Sequence, residues 1–150
     1  MIHTWLFTWN PERWAWDNRL TGYAETKHEI DTIGFSFVRW TCGVNKSIKP
    51  GDRIFLIRLG NEPRGIVASG YALSCVFEGV HWDEERAALG KQAKRIFLKL
   101  DKMADTNFDN ILRMERLKNI SSTFTWSSQM SGICIHNDIA KALESEWEKL

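Results

Sequence analysis

The sequence has few of the residues that mark secreted, membrane-bound or metal-bound proteins. Its three cysteines, Cys42, Cys75 and Cys134, are an odd number without a CxxC pair, so neither a disulfide framework nor a zinc site is indicated. No window approaches the roughly 18 apolar residues of a membrane span, and "MIHTWLFTWN" lacks the basic region of a signal peptide. We therefore expect a reducing, cytoplasmic setting and no membrane partner.

The chain also lacks an excess of charge of either sign. Twenty Lys and Arg stand against 19 Asp and Glu, a net charge of +1, so affinity for a polyanion would have to come from a local basic patch. Hydrophobic residues make up 43% and charged residues 26% of the chain, which are ordinary globular values. The length suits one domain with its own core, and we interpret residues 1–150 as a single domain.

Catalytic and cofactor motifs are missing as well. The histidines lie far apart in the chain, no HNH or GxSxG spacing occurs, and the glycine-containing segments do not match a P-loop. The one arguable nucleophile pair is Cys42 with His81. Six of the 19 acids fall on two predicted helices, Asp83 to Glu85 and Glu144 to Glu148, where they favour helix formation and solubility. We therefore predict no catalytic residue, no metal ligand and no cofactor, and a chain that is not itself an enzyme.

Tryptophan, in contrast, is abundant. Eight tryptophans in 150 residues are several times the usual content, and three of them, Trp9, Trp14 and Trp16, fall in "FTWNPERWAWDN". Their neighbours are too polar and too irregularly spaced to form one apolar stripe, so this stretch indicates the wall of a pocket. Trp5 alternates inside a strand and Trp147 lies on the packing face of the last helix, so we assign both to the core.

The hydrophobic pattern predicts strands in the centre of the chain and helices at its periphery. The predicted strands are "HTWLFTW", "FSFVRW", "RIFLIRLG", "RGIVASGYALSC" and "RIFLKLDKM", with the third and fourth forming a hairpin around "NEP". The predicted helices are "GYAETKHEIDTIG", "WDEERAALGKQAK" and "NDIAKALESEWEKL", the last two with Asp83 and Asn137 as N-caps. "DNILRMERLKN" fits either class. The pattern predicts an α+β fold around a strongly bent sheet or open barrel with peripheral helices.

Polar and aromatic residues recur at the predicted strand ends. We expect these ends to gather at the mouth of the barrel as an aromatic pocket. Trp40 is the leading candidate because it ends a strand before a Thr-Cys-Gly turn that can present backbone groups. Asn10, before Pro11, is open between a turn former and a ligand-reading residue. For five other indoles the pattern fits a place in the core as well as a place in the pocket: Trp9, Trp14, Trp16, Trp82 and Trp126.

Several ordered stretches resemble one known family. "WLFTWNPERWAWD", "VRWTCGVNKSIKPGDRIFLIRLGNEPRGIVASGYA", "HWD" and "WSSQMSGICI" with a closing helix look like an EVE domain of the PUA-like superfamily, especially the EVE modules fused to HNH nucleases in modification-dependent restriction. The resemblance covers nearly the whole chain. It implies a PUA-like fold and allows the chain to be the N-terminal part of a longer protein that carries an HNH nuclease.

The resemblance implies a reader of modified DNA that flips 5-methylcytosine or 5-hydroxymethylcytosine into an aromatic cage. The candidate base pocket consists of Trp9, Asn10, Trp14, Trp16, Trp40, Thr41, Cys42, Leu59, Trp82, Trp126 and Ser131. The candidate phosphate contacts are Arg13, Arg39, Lys46, Lys49, Arg58 and Arg64. A PUA-like RNA-binding protein, or a small-molecule nucleobase sensor that uses the same cavity, is the alternative.

The energetics of base flipping agree with such a pocket. Extracting a base from a duplex costs a few kcal/mol, and stacking on an aromatic ring returns roughly 1–3 kcal/mol. Burying one methyl group contributes only about 0.8 kcal/mol, less than a factor of ten in affinity. Selectivity therefore requires polar contacts to the base edge, for which Asn10, Thr41 and the backbone around Trp40 and Leu59 are candidates.

Overall fold

The computed structural model describes residues 2–13, 16, 22–42, 47–80, 84–90, 92–128 and 130–150, with the backbone alone for residues 79, 80, 87, 92 and 93. Within these residues the chain forms eight strands and four helices. The elements in chain order are β1 (Thr4–Trp9), α1 (Tyr23–Ile33), β2 (Ser36–Thr41), β3 (Arg53–Arg58), β4 (Gly65–Ala72), β5 (Phe77–Val80), α2 (Glu84–Ala88), β6 (Gln92–Met103), β7 (Leu112–Arg113), α3 (Met114–Ile120), β8 (Ile133–Ile135) and α4 (Asn137–Glu148).

The described strands form one mixed, open sheet. Its order is β2-β6-β4-β3-β1-β8, with β5 beside β6 and β7 beside β4. β1 and β3 run parallel, and every other pair is antiparallel. The register shifts at Leu56/Ile57 and at Ser69/Gly70, and irregularities of this kind increase twist and bend a sheet. The predicted α+β fold with a bent, open sheet is confirmed.

The central strands are buried on both faces, which explains their nearly continuous apolar sequences. In β3, Ile54 and Leu56 lie on one face of the sheet and Phe55 and Ile57 on the other, as alternating side chains must. The first core includes Trp5, Phe7 and Trp9 of β1, Val38 and Trp40 of β2, Ile54 and Leu56 of β3, and Ile96, Leu98 and Leu100 of β6. The second core includes Leu6, Phe55, Ile57, Leu59, Ile66, Leu112, Met114, Leu117, Trp126, Ile135, Ala140, Leu143 and Trp147.

One helix covers the first core and two cover the second. α1 buries Thr26 and Ile30 and ends at Gly34, whose φ of 92° gives the left-handed C-terminal cap that glycine favours. α4 buries Leu143 and Trp147, as the spacing predicts. The predicted N-cap of α4 is wrong by one residue: Asn137 is the first helical residue, and His136 is the extended cap, without a side-chain cap bond. The predicted cap at Asp83 lies outside the described residues.

An ion-pair network joins α4 to the sheet. The Arg53 guanidinium donates to both carboxylate oxygens of Glu144 (2.9 and 3.0 Å) and to Asp101 (3.0 Å). Asp101 also accepts from the Ser69 hydroxyl (2.7 Å), which in turn accepts from the Trp147 indole N–H (2.9 Å). Every polar atom in this chain of contacts therefore has a partner, as buried or half-buried polar groups require.

Asp52 holds the start of β3 against β1. Its carboxylate accepts from the Trp5 indole N–H (2.9 Å), the Lys49 N–H (3.0 Å) and the His3 N–H (3.3 Å), and its residue is 4% exposed. Burial alone would raise the pKa of Asp52, but these three donors outweigh burial and set the pKa below its ordinary value. The predicted turn at Pro50-Gly51-Asp52 thus carries a structural carboxylate.

Candidate functional site

The first core ends in five rings that are linked by ring contacts, and we call them the aromatic cluster: Trp9, Trp16, Tyr23, Trp40 and Phe108. Trp9 packs against Trp16 (ring centroids 5.3 Å apart, 88° between planes), Tyr23 (5.6 Å, 22°) and Phe108 (6.0 Å). Trp16 also contacts Trp40 (4.7 Å) and Tyr23 (5.0 Å), and Tyr23 contacts Phe108 (5.2 Å). Three of the predicted pocket indoles are therefore brought together.

The bend of the sheet places Trp40 in this cluster. β2 is one edge of the sheet, and three strands separate it from β1 in the sheet order. The Trp40 indole N–H nevertheless donates to the Thr8 carbonyl oxygen (3.2 Å), so the β2 edge curls over the first core towards β1. Ser131 also contacts Thr8: its hydroxyl accepts from the Thr8 N–H (3.0 Å) and forms a hydrogen bond with the Thr8 hydroxyl (3.1 Å).

Two members of the aromatic cluster come from segments that the sequence analysis did not assign to the pocket. Tyr23 opens α1, and its hydroxyl donates to the Ala104 carbonyl oxygen (2.9 Å). Phe108 lies in the loop between β6 and β7 with a φ of 59°, and its N–H donates to the Asp105 carbonyl oxygen (2.9 Å). The Asp- and Asn-rich stretch "DTNFDN" is a turn signal, but nothing in it shows where the ring points.

The members of the aromatic cluster differ in exposure. Trp9 and Trp16 are each 5% exposed and Trp40 is 1% exposed, whereas Tyr23 and Phe108 are half-buried. Burial also raises the pKa of the Tyr23 phenol far above its ordinary value. The three indoles thus belong to the core as well as to the cluster, and a ligand would reach Tyr23 and Phe108 first.

Arg58 closes the cluster from β3. Its guanidinium carbon lies 4.6 Å from the Phe108 ring centroid and 5.7 Å from that of Trp9, distances at which a cation is attracted to a ring face. The residue is only 7% exposed, and burial lowers the pKa of its guanidinium. The structure therefore places this predicted phosphate contact among the rings of the cluster.

Asn10 and Gly60 lie side by side where β1 and β3 end. The Asn10 side-chain oxygen accepts from the Glu12 N–H (3.0 Å), and the Asn10 carbonyl oxygen accepts from the Arg13 N–H (3.0 Å), so the residue forms a turn. Gly60 has a φ of 80°, and a Cβ there would overlap the Asn10 side-chain oxygen. The turn role of Asn10, one of its two possible readings, is thus present in the structure.

The remaining described pocket candidates have structural partners. Thr41 is half-buried at the end of β2 and pairs with Arg95 of β6. The Leu59 side chain packs in the second core, and its N–H donates to the Trp9 carbonyl oxygen (2.8 Å). Cys42 is fully buried, and burial raises the pKa of its thiol to about 11. That direction is opposite to the lowered pKa of a reactive cysteine, and its suggested partner His81 lies outside the described residues.

Trp126 lies on the opposite side of the sheet from the aromatic cluster. It packs in the second core against Phe124, and its indole N–H donates to the Ser121 carbonyl oxygen (3.0 Å). The strand-end argument does not specify on which face a side chain falls, which is why it grouped Trp126 with the others. Trp126 lines a separate cavity of about 190 Å³ together with Arg64, Met114, Lys118, Ser122, Phe124, Thr125 and Ser127. Trp14 and Trp82 lie outside the described residues.

The predicted phosphate contacts are spread over the surface. Arg13 and Lys49 are exposed, Arg39 is half-buried on β2, and Arg64 is half-buried and pairs with Glu62 (3.2 Å). Lys46 lies outside the described residues. The described candidates other than Arg58 are therefore accessible to a backbone phosphate.

The described residues contain no group of three or more His, Cys, Asp or Glu side chains that could hold a metal ion. Among the helices of the described ranges, none combines the length and apolar character needed to cross a membrane.

Comparisons with solved structures show the fold. No family model matches the chain, and no curated protein matches its sequence. A hypothetical protein from Leishmania major is similar with a TM-score of 0.67 at 13% identity, over 99% of this chain and 96% of that one. A Pseudomonas syringae protein is similar with a TM-score of 0.64 at 14% identity, over 96% and 99%. Human THYN1, solved in complex with DNA containing 5-methylcytosine, is similar with a TM-score of 0.60 at 10% identity, over 99% of each chain.

The chain therefore has a PUA-like α+β fold along nearly its whole length. At these identities the likeness shows the fold alone, and function has to be argued from the residues of the site.

Proposed function

We propose that this chain is a DNA-binding reader module that flips a modified cytosine, 5-methylcytosine or 5-hydroxymethylcytosine, and cages it in the aromatic cluster. The observation that carries the proposal is the cluster itself: five contacting rings with a guanidinium among them, at the ends of two neighbouring parallel strands. A protein of the same fold, human THYN1, forms a complex with DNA containing 5-methylcytosine, which supports DNA as the ligand.

We expect the base to enter between Trp9 and Tyr23, which stack on each other in the structure. These two rings are nearly parallel, at 22°, with centroids 5.6 Å apart. A base stacked on both would need planes about 7 Å apart, because each stacking contact takes about 3.5 Å. The rings must therefore part on binding, and Tyr23 is the less buried of the two.

The energies permit such a reader. Flipping costs a few kcal/mol, and two ring faces at roughly 1–3 kcal/mol each offset it. Phosphate contacts then supply affinity that does not depend on sequence. The cationic side chains for this role are Arg13, Arg39, Lys49 and Arg64.

The test is binding measured in parallel on matched duplexes that contain cytosine, 5-methylcytosine or 5-hydroxymethylcytosine, and on the matched RNA. We expect tighter binding to one or both modified duplexes than to cytosine. Equal binding to all DNA duplexes with preference for RNA would favour a PUA-like RNA-binding protein. Binding of the free base alone would favour a small-molecule nucleobase sensor.

A matched pair of variants assigns the site. Phe108→Leu removes a half-buried ring from the aromatic cluster, and Phe124→Leu removes a half-buried ring from the opposite side of the sheet. We expect Phe108→Leu to lose the preference for the modified base and Phe124→Leu to keep it, with both proteins folded by circular dichroism. An equal loss in the two variants would contradict the assignment of the site.

We further propose that the reader acts in modification-dependent restriction, with cleavage performed by a fused or associated HNH nuclease. The EVE resemblance supports this assignment, and so does the absence of a metal-binding cluster within the described residues. Incubated with modified DNA and Mg²⁺ or Mn²⁺, the chain alone should bind without cutting. Strand scission by the purified chain that is lost in Glu85→Ala would contradict the proposal that cleavage is performed by a separate nuclease.

A further inference from the structure

We infer that Arg58 is the specificity-determining residue of the proposed reader and that its guanidinium recognises the O2 and N3 edge of the flipped cytosine. The inference rests on the proposed function and adds to it a residue and the part of the base that the residue contacts. It starts from the position of a charged side chain where the strand pattern requires an apolar one.

The strand pattern places Arg58 on the first-core face of the sheet. Ile54 and Leu56 point into the first core, and alternation sends the side chain of Arg58 to the same face. An arginine at this position removes a charge from water among aromatic rings, which costs stability unless its donors are satisfied.

One end of the guanidinium is anchored and the other has a donor without a partner. Nη1 donates to the carbonyl oxygens of Asn61 (2.8 Å) and Pro63 (2.5 Å), which fixes the plane of the group. Nε–H is buried and has no hydrogen-bond partner among the described residues. Buried polar groups in native proteins are nearly always paired, so an unpaired donor inside a candidate site indicates a missing acceptor.

The side of the guanidinium that carries the unpaired Nε–H matches cytosine in shape. Nε–H and one Nη2–H point the same way and form the side-on fork of arginine, which binds two adjacent acceptors. Arg53 of this protein uses the same fork on the Glu144 carboxylate, with Nε and Nη2 at 2.9 and 3.0 Å. Cytosine presents two adjacent acceptors, O2 and N3, once it has left the duplex.

Such a contact would distinguish 5-methylcytosine from thymine, which stacking on the rings cannot do. 5-Methylcytosine and thymine share the ring shape and the 5-methyl group, so stacking and methyl burial treat them alike. At N3, however, cytosine has an acceptor and thymine has an N–H donor, which would face the donors of Arg58. Sites built on hydrogen bonds reject an analogue that leaves buried polar groups unpaired far more strongly than apolar pockets reject a change of size.

The experiment places one of three bases opposite an abasic site, so that no base pair has to be broken: 5-methylcytosine, its 3-deaza analogue with C–H in place of N3, or thymine. We expect the wild-type chain to bind 5-methylcytosine roughly 10- to 100-fold more tightly than either other base, the factor for a hydrogen bond to a charged group. This arm uses no variant and so does not depend on whether a variant folds.

Two arginine-to-lysine variants assign the effect. Arg58→Lys keeps the positive charge but loses the fork, and we expect the three affinities to fall within threefold of one another. Arg116→Lys is the control, because Arg116 lies on α3 over the second core, on the opposite side of the sheet from the aromatic cluster, and pairs with Glu146 of α4 (2.6 Å). Its ratio of affinities should equal that of the wild type.

Two failures can be told apart. Wild-type preference for 5-methylcytosine over cytosine in ordinary duplexes, with equal affinity for the 3-deaza analogue, would overturn the role of Arg58 and leave the reader intact. No preference for any modified duplex would overturn the proposed function and the role of Arg58 with it. A discrimination that persists in folded Arg58→Lys would assign the recognition to another residue.

Discussion

Truncation of Trp40 tests whether a ring of the candidate site is also part of the core. The indole is 1% exposed, contacts Trp16 at 4.7 Å and donates to the Thr8 carbonyl oxygen. A buried tryptophan removes about 150–250 Å² from water, which at about 25 cal/mol per Å² corresponds to roughly 4–6 kcal/mol. Measured truncations of buried Trp or Phe to alanine cost about 3–5 kcal/mol. We expect Trp40→Ala to lower the free energy of unfolding by about 4 kcal/mol.

Urea denaturation followed by circular dichroism measures this loss directly. For a chain of this length, 1 kcal/mol shifts the melting temperature by about 2–4 °C, so Trp40→Ala should melt roughly 8–16 °C below the wild type. Phe37→Ala is the matched control, because Phe37 lies on the same strand but is 50% exposed, and it should change stability by less than about 1 kcal/mol. A loss below about 1 kcal/mol in Trp40→Ala would refute the core role of the indole.

The result also decides how the site has to be mapped. If the loss is as large as expected, absence of DNA binding in Trp40→Ala reports unfolding as readily as loss of a cage ring. Trp40→Phe, which keeps a ring and removes the hydrogen bond to Thr8, is then the informative variant. It should cost about 1–2 kcal/mol and leave the folded protein available for binding measurements.

Three further predictions test the charges and thiols of the structure. Asp52→Asn should lower the free energy of unfolding by about 2–4 kcal/mol at pH 7. Because the pKa of Asp52 is lowered in the folded state, this contribution is complete above the unfolded pKa of about 3.9 and is lost as pH falls through the folded pKa. The denaturation curves of the wild type and the variant should therefore converge in acid. Cys42, buried and with a raised pKa, should resist a thiol reagent at pH 7.5 that labels exposed Cys75 within minutes; labelling at equal rates would contradict the packing of the first core. The logarithm of the DNA affinity should fall with the logarithm of salt with a slope of about −3 to −4, from four accessible cations, and a slope near zero would exclude phosphate contacts by Arg13, Arg39, Lys49 and Arg64.

Most elements of the fold could be predicted because their signals are local, whereas the short strands β5 and β8 were not predicted. "RIFLIR" and "GIVASGYA" are apolar and β-branched, and the polar "NEP" between them fixes a hairpin. The core assignments of Trp5 and Trp147 are confirmed, at 6% and 2% exposure, because each lies in a segment with a clear periodicity. Where the pattern has two explanations, as in "DNILRMERLKN", the structure contains both: a two-residue strand, Leu112–Arg113, followed by the helix Met114–Ile120.

The composition of the candidate site could be predicted only in part, because it depends on side-chain direction and on contacts distant in sequence. Trp9 and Trp40 are 31 positions apart, and they join one cluster only because the β2 edge curls towards β1. Phe108 enters the cluster from a loop, through a single residue with a positive φ. Trp126 follows the same strand-end pattern as the others yet faces the second core. The position of a residue at a strand end predicts that it lies near the other strand ends along that edge of the sheet. It does not predict on which face of the sheet the side chain lies, and this has to be read from the structure.

Arg58 shows why a residue type alone does not determine its role in such a site. At a strand end, an arginine in a DNA-binding hypothesis is assigned to phosphate, because exposed cations usually meet the backbone. Alternation along β3 gives a different expectation: residues 54, 56 and 58 share one face, and the first two are fully buried. The guanidinium on that face is shielded from water, contacts aromatic rings and donates to two carbonyl oxygens. Its Nε–H still has no hydrogen-bond partner among the described residues. A charge in that position is better suited to reading a base that enters the cluster than to holding a phosphate outside it, and the 3-deaza analogue separates these two roles without altering the protein.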